Sequence, residues 1–184
     1  MSTNYRITDS TRPHFLTLTL VEWVDLFSRE KYKRILLDSL RFSVKEKGLV
    51  LYAYVIMSNH LHLIAKAGTD NLKLTDIIRD IKRFTANEIY KVLKSDNKES
   101  RRNWLKWIFE SQGKRSSSNT NVKVWRHENH PVILDRNEII DERLNYIHEN
   151  PVRAGICYCA EDYVYSSAGY YAGRESVLDV EILA

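Results

Sequence analysis

The apolar positions of the first hundred residues fall into five blocks with two different periods. His14 to Val21 (HFLTLTLV) has the β-branched and apolar content of a strand, led in by Arg12 and Pro13. From Ser28 to Lys47 the residues Tyr32, Ile35, Leu36, Leu40 and Val44 recur at spacings of three and four. This predicts an amphipathic helix capped by Ser28 and stopped before Gly48. Leu49 to Met57 (LVLYAYVIM) is a continuous apolar run, short enough for a central strand. Ser58-Asn59 breaks it as a two-residue turn, and His60 to Lys66 (HLHLIAK) returns as its hairpin partner. A helical period resumes from Leu72 to about Lys94 through Leu74, Ile77, Ile78, Ile81, Ile89 and Val92, with Arg79, Arg83, Tyr90 and Lys94 on another face.

The second half is less regular. Ser95 to Arg102 and Gly113 to Asn121 (GKRSSSNTN) read as loops around a short Trp-containing helical piece. Val122 to Arg126 and Val132 to Leu134 read as strand fragments around His130-Pro131. Asp135 to Asn150 is predicted helical, with Asp135 and Glu138 spaced as a capping box and Pro151 ending it. The remainder is aromatic and irregular. The order β, α, β, β, α, β, α fits an α+β, ferredoxin-like antiparallel sheet with helices packed on one face, plus C-terminal additions. A single domain over 1–184 is expected, with 1–13 as an N-terminal arm, 95–121 as a basic loop-rich insertion and 156–184 as a tail.

Composition narrows the class. With 184 residues, 43% hydrophobic and 28% charged, the chain can close one core. It has no run of roughly 18 apolar residues to span a membrane and no signal-peptide core near Met1, so a soluble, cytoplasmic protein is expected. Cys157 and Cys159, one residue apart, give no disulfide framework and read as structural thiols. The net charge of +4 conceals an uneven distribution. Between Leu72 and Arg126 there are fourteen Lys or Arg against six Asp or Glu, interleaved with Phe84, Tyr90, Trp104, Trp107 and Trp125. Such a segment suits phosphates and stacked bases, and equally a solvated helix face over core aromatics.

Two constellations carry chemistry. In His60-Leu61-His62, strand residues at i and i+2 point to one face and bring two imidazoles together, half of a metal site; a pair of structural histidines is the plainer alternative. In Tyr146 to Gly155 (YIHENPVRAG), Tyr146 and Asn150 are neighbours at i and i+4, on a stripe with Ile139 and Arg143 beside the buried seam. The plainer alternative there is a packing tyrosine and an Asn that caps the helix, with pre-proline geometry loosening the contact.

YVIMSNHLHLIAKA resembles the His-hydrophobic-His strand of the single-tyrosine transposases. NYIHENPVRAG followed by EDYVYSSAGYY resembles the tyrosine helix and tail of their REP-associated branch. The likeness runs from about His14 to Tyr171, with Ser58 where family members commonly have Pro. It implies a ferredoxin-like fold, a divalent cation (Mg²⁺ or Mn²⁺) held by His60, His62 and Asn150, and Tyr146 as the nucleophile on single-stranded or hairpin DNA. The expected activity is cleavage and rejoining through a 5′-phosphotyrosine, by a monomer or homodimer. His148 is a candidate base, but at i+2 from Tyr146 it points elsewhere. Phosphate contacts are expected from Arg79, Lys82, Arg83, Lys94, Lys114 and Arg115, and base contacts from Trp125 and the arm around Tyr5 and Arg6. The rival readings are a zinc hydrolase built on the two histidines and a non-catalytic hairpin-binding relative.

Overall fold

The computed structural model of the chain describes residues 7–116 and 121–183. Its core is a four-stranded antiparallel sheet of β1 (His14–Thr19), β2 (Leu49–Ile56), β3 (His60–Ala67) and β4 (Val132–Ile133), in the order β2-β3-β1-β4. This is the ferredoxin-like strand order, in which α1 (Glu30–Glu46) joins β1 to β2 and α2 (Leu74–Ser95) joins β3 to β4. The apolar run 49–57 is thus an edge strand, not a central one. Its outer edge is covered by the C-terminal tail, where Ile56 and Ser167 donate from their backbones to the Tyr165 and Tyr54 carbonyls and Glu181 donates to that of Leu51. The cover explains why an edge strand can be as apolar as a central one.

Strand alternation divides the core in two. Leu16 and Leu18 of β1 with Leu61, Leu63 and Ala65 of β3 face α1, α2 and α3 (Arg102–Lys114). Phe15 and Ile64 face the other way, toward α4 (Asn137–Arg153), with Tyr52, Ala53, Val55, Met57, Leu134 and Ile147. A bulge between Leu51 and Ala53 lets the continuous run of β2 serve both faces. The sheet is therefore covered on both sides, and α4, read from the sequence as an addition, forms the second layer.

Several local expectations shift. Neither α1 nor α4 has a side-chain N-cap: the Ser28 hydroxyl instead donates to the Asp25 carbonyl, and Asp135 and Glu138 form no capping box. Residues 122–126 contribute one bridge, Leu20 to Trp125, in place of a strand. Pro151 lies inside α4, which continues to Arg153. The last turn closes through the Ala154 N–H on the Asn150 carbonyl and the Gly155 N–H on that of Val152, and Gly155 at φ +68° ends it. The short helix α5 (Ala168–Tyr171) lies in the tail.

Candidate functional site

The even-numbered face of β3 carries the two histidines. In the β1–β3 register Thr17 lies opposite His62 and Thr19 opposite His60, and Val55 of β2 flanks His62 on the other side. The rings of His60 and His62 are 4.6 Å apart between centroids, as the i and i+2 spacing requires. The Ser58-Asn59 turn that aims them is clamped: Leu20 donates to the Asn59 carbonyl at 3.0 Å and Phe27 to the Ser58 carbonyl at 2.8 Å.

Each imidazole is held through Nδ1. His60 Nδ1 lies 2.6 Å from Asn59 Oδ1, so with the amide oxygen accepting, Nδ1 carries the proton. His62 Nδ1 lies 3.0 Å from the Thr17 hydroxyl. Neither Nε2 makes a hydrogen bond among the described residues, so both are left as lone-pair donors if Nδ1 is protonated in each. Burial pushes the His62 pKa down to about 3, with the charges of His60 and Arg143 adding to it, and burial lowers that of His60 as well. Neutral imidazoles are the form a metal takes.

Helix α4 brings the tyrosine to them. The Tyr146 ring stands edge-on to His62 at 5.2 Å and to Phe15 at 5.9 Å, while Phe15 stacks on His62 at 5.2 Å. Two cations flank this group. The Arg143 guanidinium lies 5.2 Å from the Phe15 centroid and that of Arg153 lies 5.8 Å from the Tyr146 centroid. Arg143 Nε is buried with no hydrogen-bond partner among the described residues. Arg143, Tyr146, Asn150 and Arg153 are spaced by three, four and three, one face of the helix. Because α4 runs through Pro151, Asn150 is a helical residue on that face and not a cap. His148, one hundred degrees per residue away, lies 3.0 Å from Ser167 through Nε2, packs on Tyr171, and is lowered by burial to about 4.

Among the described residues no cluster of three His, Cys, Asp or Glu forms, so a third protein donor to the histidine pair would be of another kind. Two imidazoles would leave positions for water and phosphate oxygens, a set that suits a hard or borderline cation.

Two residues expected to touch DNA are otherwise engaged. Trp125 is buried against Phe27, with its indole N–H donating to the Thr85 hydroxyl at 2.9 Å, so it is a core residue with no face left for a base. Lys82 donates to the carbonyls of Arg126 at 2.8 Å and His127 at 3.2 Å, and burial lowers its pKa to about 8; it pins a loop and does not meet solvent phosphates. Arg79, Arg83, Lys94, Lys114 and Arg115 are exposed. The first two pair with Asp76 and Asp80 along α2, on the layer opposite α4, so they do not line the cleft beside Tyr146. Tyr5, Arg6 and 117–120 lie outside the described residues.

Among solved structures, a REP-associated tyrosine transposase bound to a REP hairpin aligns with 100% of this chain and 94% of its own, with a TM-score of 0.66 and 15% identity. The chain shares that fold. A Deinococcus radiodurans protein described as a transposase aligns with 82% of this chain and 95% of its own, at 16% identity and a TM-score of 0.46. No protein-family model and no curated protein sequence gives a significant match. At this distance the likeness establishes the architecture, and the chemistry rests on the chain's own side chains.

Sequence reasoning passed over Thr17 and Asn59. Asn59 was visible only as a turn residue, and Thr17 became a partner of His62 only through the β1–β3 register, which a single strand pattern does not reveal.

Proposed function

We propose that the chain is a metal-dependent enzyme that cleaves and rejoins single-stranded DNA beside a hairpin, with Tyr146 as nucleophile. The observation that carries this is the edge-on approach of the Tyr146 ring to His62 in a pair of neutral, oriented imidazoles. The shared fold with a transposase bound to hairpin DNA supports the substrate class. No helix among the described residues is long and apolar enough to cross a membrane.

His60, His62 and Asn150 would hold a Mg²⁺ or Mn²⁺ ion. Such an ion, when bound, neutralises a non-bridging phosphate oxygen and makes phosphorus more electrophilic. The chain's own residues do the rest. Tyr146 Oη forms a bond to phosphorus, its proton passes to solvent, and the bond from phosphorus to the 3′-oxygen breaks. That oxygen takes up a proton, leaving a 5′-phosphotyrosine and a free 3′-hydroxyl. The covalent ester keeps the phosphodiester energy, so attack by a 3′-hydroxyl reverses the step and joins strands without a nucleotide cofactor. Arg143 and Arg153, on either side of Tyr146 along one helix face, offset the phosphate charge and hold the strand against the nucleophile.

The test is a denaturing gel of labelled hairpin DNA with a single-stranded extension, in Mn²⁺. Wild type should form a protein–DNA adduct, and Tyr146→Phe should form none while binding the DNA as before, since the ring still packs on His62. An adduct in the Phe variant removes Tyr146 as nucleophile. Zinc-dependent hydrolysis of small esters, intact in Tyr146→Phe, would instead favour a hydrolase built on the histidine pair.

A further inference from the structure

The four residues Val21 to Val24 form a strained outward turn. Val21 and Val24 are buried, whereas Trp23 between them is 53% exposed. Glu22 and Trp23 both adopt left-handed backbone, at φ +53° and +52°, a conformation that costs non-glycine residues and is doubly unusual in succession. The surroundings enforce it. The Val21 N–H donates to the Val124 carbonyl at 2.9 Å, the Trp23 N–H to that of Leu20 at 3.3 Å, and the Gln112 amide to the Glu22 carboxylate at 2.5 Å. A large aromatic ring is thus turned away from a core that buries Val21 and Val24 on either side of the turn.

The exposed ring stands at the histidine pair. Its centroid is 6.4 Å from that of His60, nearly perpendicular, and the Trp23 carbonyl accepts from the Asn59 amide at 3.4 Å, the same Asn that orients the His60 ring. The exposed Arg126 guanidinium lies 5.2 Å from the indole centroid, and Glu128 attracts it at longer range. Its backbone is fixed by its own N–H on the Thr19 carbonyl and by Lys82 on its carbonyl. A rigid, exposed indole beside an exposed cation offers a π-face and a phosphate contact side by side.

We propose that Trp23 is the stacking platform for one unpaired nucleobase beside the His60–His62 pair, with Arg126 taking a phosphate of the same strand. This rests on the reading of the chain as an enzyme of single-stranded DNA, and it adds a base subsite to that reading. It also gives the loop that Lys82 and Trp125 support a role in binding: both act through Arg126 and the Leu20–Trp125 bridge instead of touching the strand.

The experiment compares two probes on the full chain: an oligothymidylate of about a dozen nucleotides, and the same sugar-phosphate backbone with every base removed. Wild type should prefer the thymidylate by about ten-fold or more, the range of one stacked base. Trp23→Ala should lose that preference and bind the abasic backbone as wild type does, and Trp23→Phe should keep most of it. Trp23→Asn, whose side chain tolerates left-handed backbone, should lose the preference with no fall in melting temperature, separating a binding role from a folding one. Trp104→Ala with Trp107→Ala, on α3, should keep it. On a strand that is cleaved, a single abasic nucleotide walked along the sequence should slow wild type at one position flanking the cut and slow Trp23→Ala at none. Unchanged thymidylate affinity in Trp23→Ala, or an identical abasic profile in both proteins, overturns the platform while leaving the DNA reading standing. Wild type that binds neither probe overturns both.

Discussion

Thr17 of β1 and His62 of β3 face each other across the sheet, and the threonine hydroxyl lies 3.0 Å from the imidazole Nδ1. The contact fixes the buried ring about its χ angles and, when the hydroxyl accepts from Nδ1–H, leaves Nε2 as the free lone pair on a ring that meets Tyr146 edge-on. Replacing Thr17 with Val keeps the shape and removes the hydroxyl. The fold should survive, while Mn²⁺ affinity measured by calorimetry falls by about 10- to 100-fold, the usual effect of deleting a partner behind a metal-bound histidine. An unchanged affinity would mean that packing of Phe15 alone orients His62.

Arg143 gives a second prediction. Its Nε is buried without a hydrogen-bond partner among the described residues, one turn along α4 from Tyr146, an arrangement that costs stability unless a ligand completes it. Arg143→Ala should therefore leave the melting temperature unchanged or slightly raised and lower the rate of adduct formation by about 10- to 100-fold, equivalent to about 1.4–2.7 kcal/mol of transition-state stabilisation. Arg143→Lys should recover part of it, because an ammonium supplies charge without the bidentate fork. Replacing the scissile phosphate by an uncharged methylphosphonate should slow wild type strongly and Arg143→Ala little. Equal slowing of the two would detach Arg143 from the phosphate.

How much of this was legible in the sequence depends on the range of the interactions involved. The strands and helices around His14 to Lys94 followed from period and turn residues, because local pattern decides them. The His60–His62 pair was legible for the same reason: i and i+2 on a strand need no tertiary knowledge. Tyr146 and Asn150 shared a face by helical spacing, and Pro151 misled only about where the helix stops. What was not legible is what other segments contribute. Trp125 and Trp23 are the same residue type, and nothing nearby in the chain says that one stacks on Phe27 in the core while the other is turned out to solvent. Lys82 belongs to the basic stripe by spacing, yet the carbonyls of residues 126 and 127 claim it. In each case a contact more than thirty residues away decides the role.

A third prediction concerns stability and pH. Glu99 is buried, and its carboxylate meets Lys31 Nζ at 2.9 Å and Arg101 Nε at 3.2 Å, joining α1 to the loop before α3. Burial acts to raise its pKa, but the hydrogen bonds from Lys31 and Arg101 outweigh it and hold the pKa below the usual value. A depressed carboxylate stabilises the fold above its unfolded pKa, and that contribution fades as pH falls through the folded one. The Lys31 pKa is raised by Asp96 and Glu99 against its own desolvation, so its contribution is complete below the unfolded lysine value and fades only as pH rises through the folded one. Glu99→Gln should cost about 1–3 kcal/mol near neutral pH and should flatten the acid side of the stability profile measured by denaturant melts. An acid limb as steep as wild type would place the titration elsewhere.

The last prediction asks how far the strand extends beyond the cleft. Arg79 and Arg83 are exposed on α2 and pair with Asp76 and Asp80 at i and i+3, contacts worth at most about 1 kcal/mol and so easily exchanged for phosphate. They lie on the layer opposite Tyr146, and Lys82 between them is taken by the loop that carries Arg126. A strand leaving the site past Arg126 would meet α2 next. For single strands the logarithm of affinity falls with the logarithm of salt by about 0.7 per phosphate neutralised, so the double variant Arg79→Ala/Arg83→Ala should flatten that slope by about 1 to 1.5 if both are engaged. The loss should be equal for all sequences, because such contacts position a strand without reading it. Arg126→Ala should flatten the slope by about 0.7 by itself. A wild-type slope in the double variant together with a reduced one in Arg126→Ala would end the path at the rim of the cleft and leave the α2 stripe as a solvated helix face.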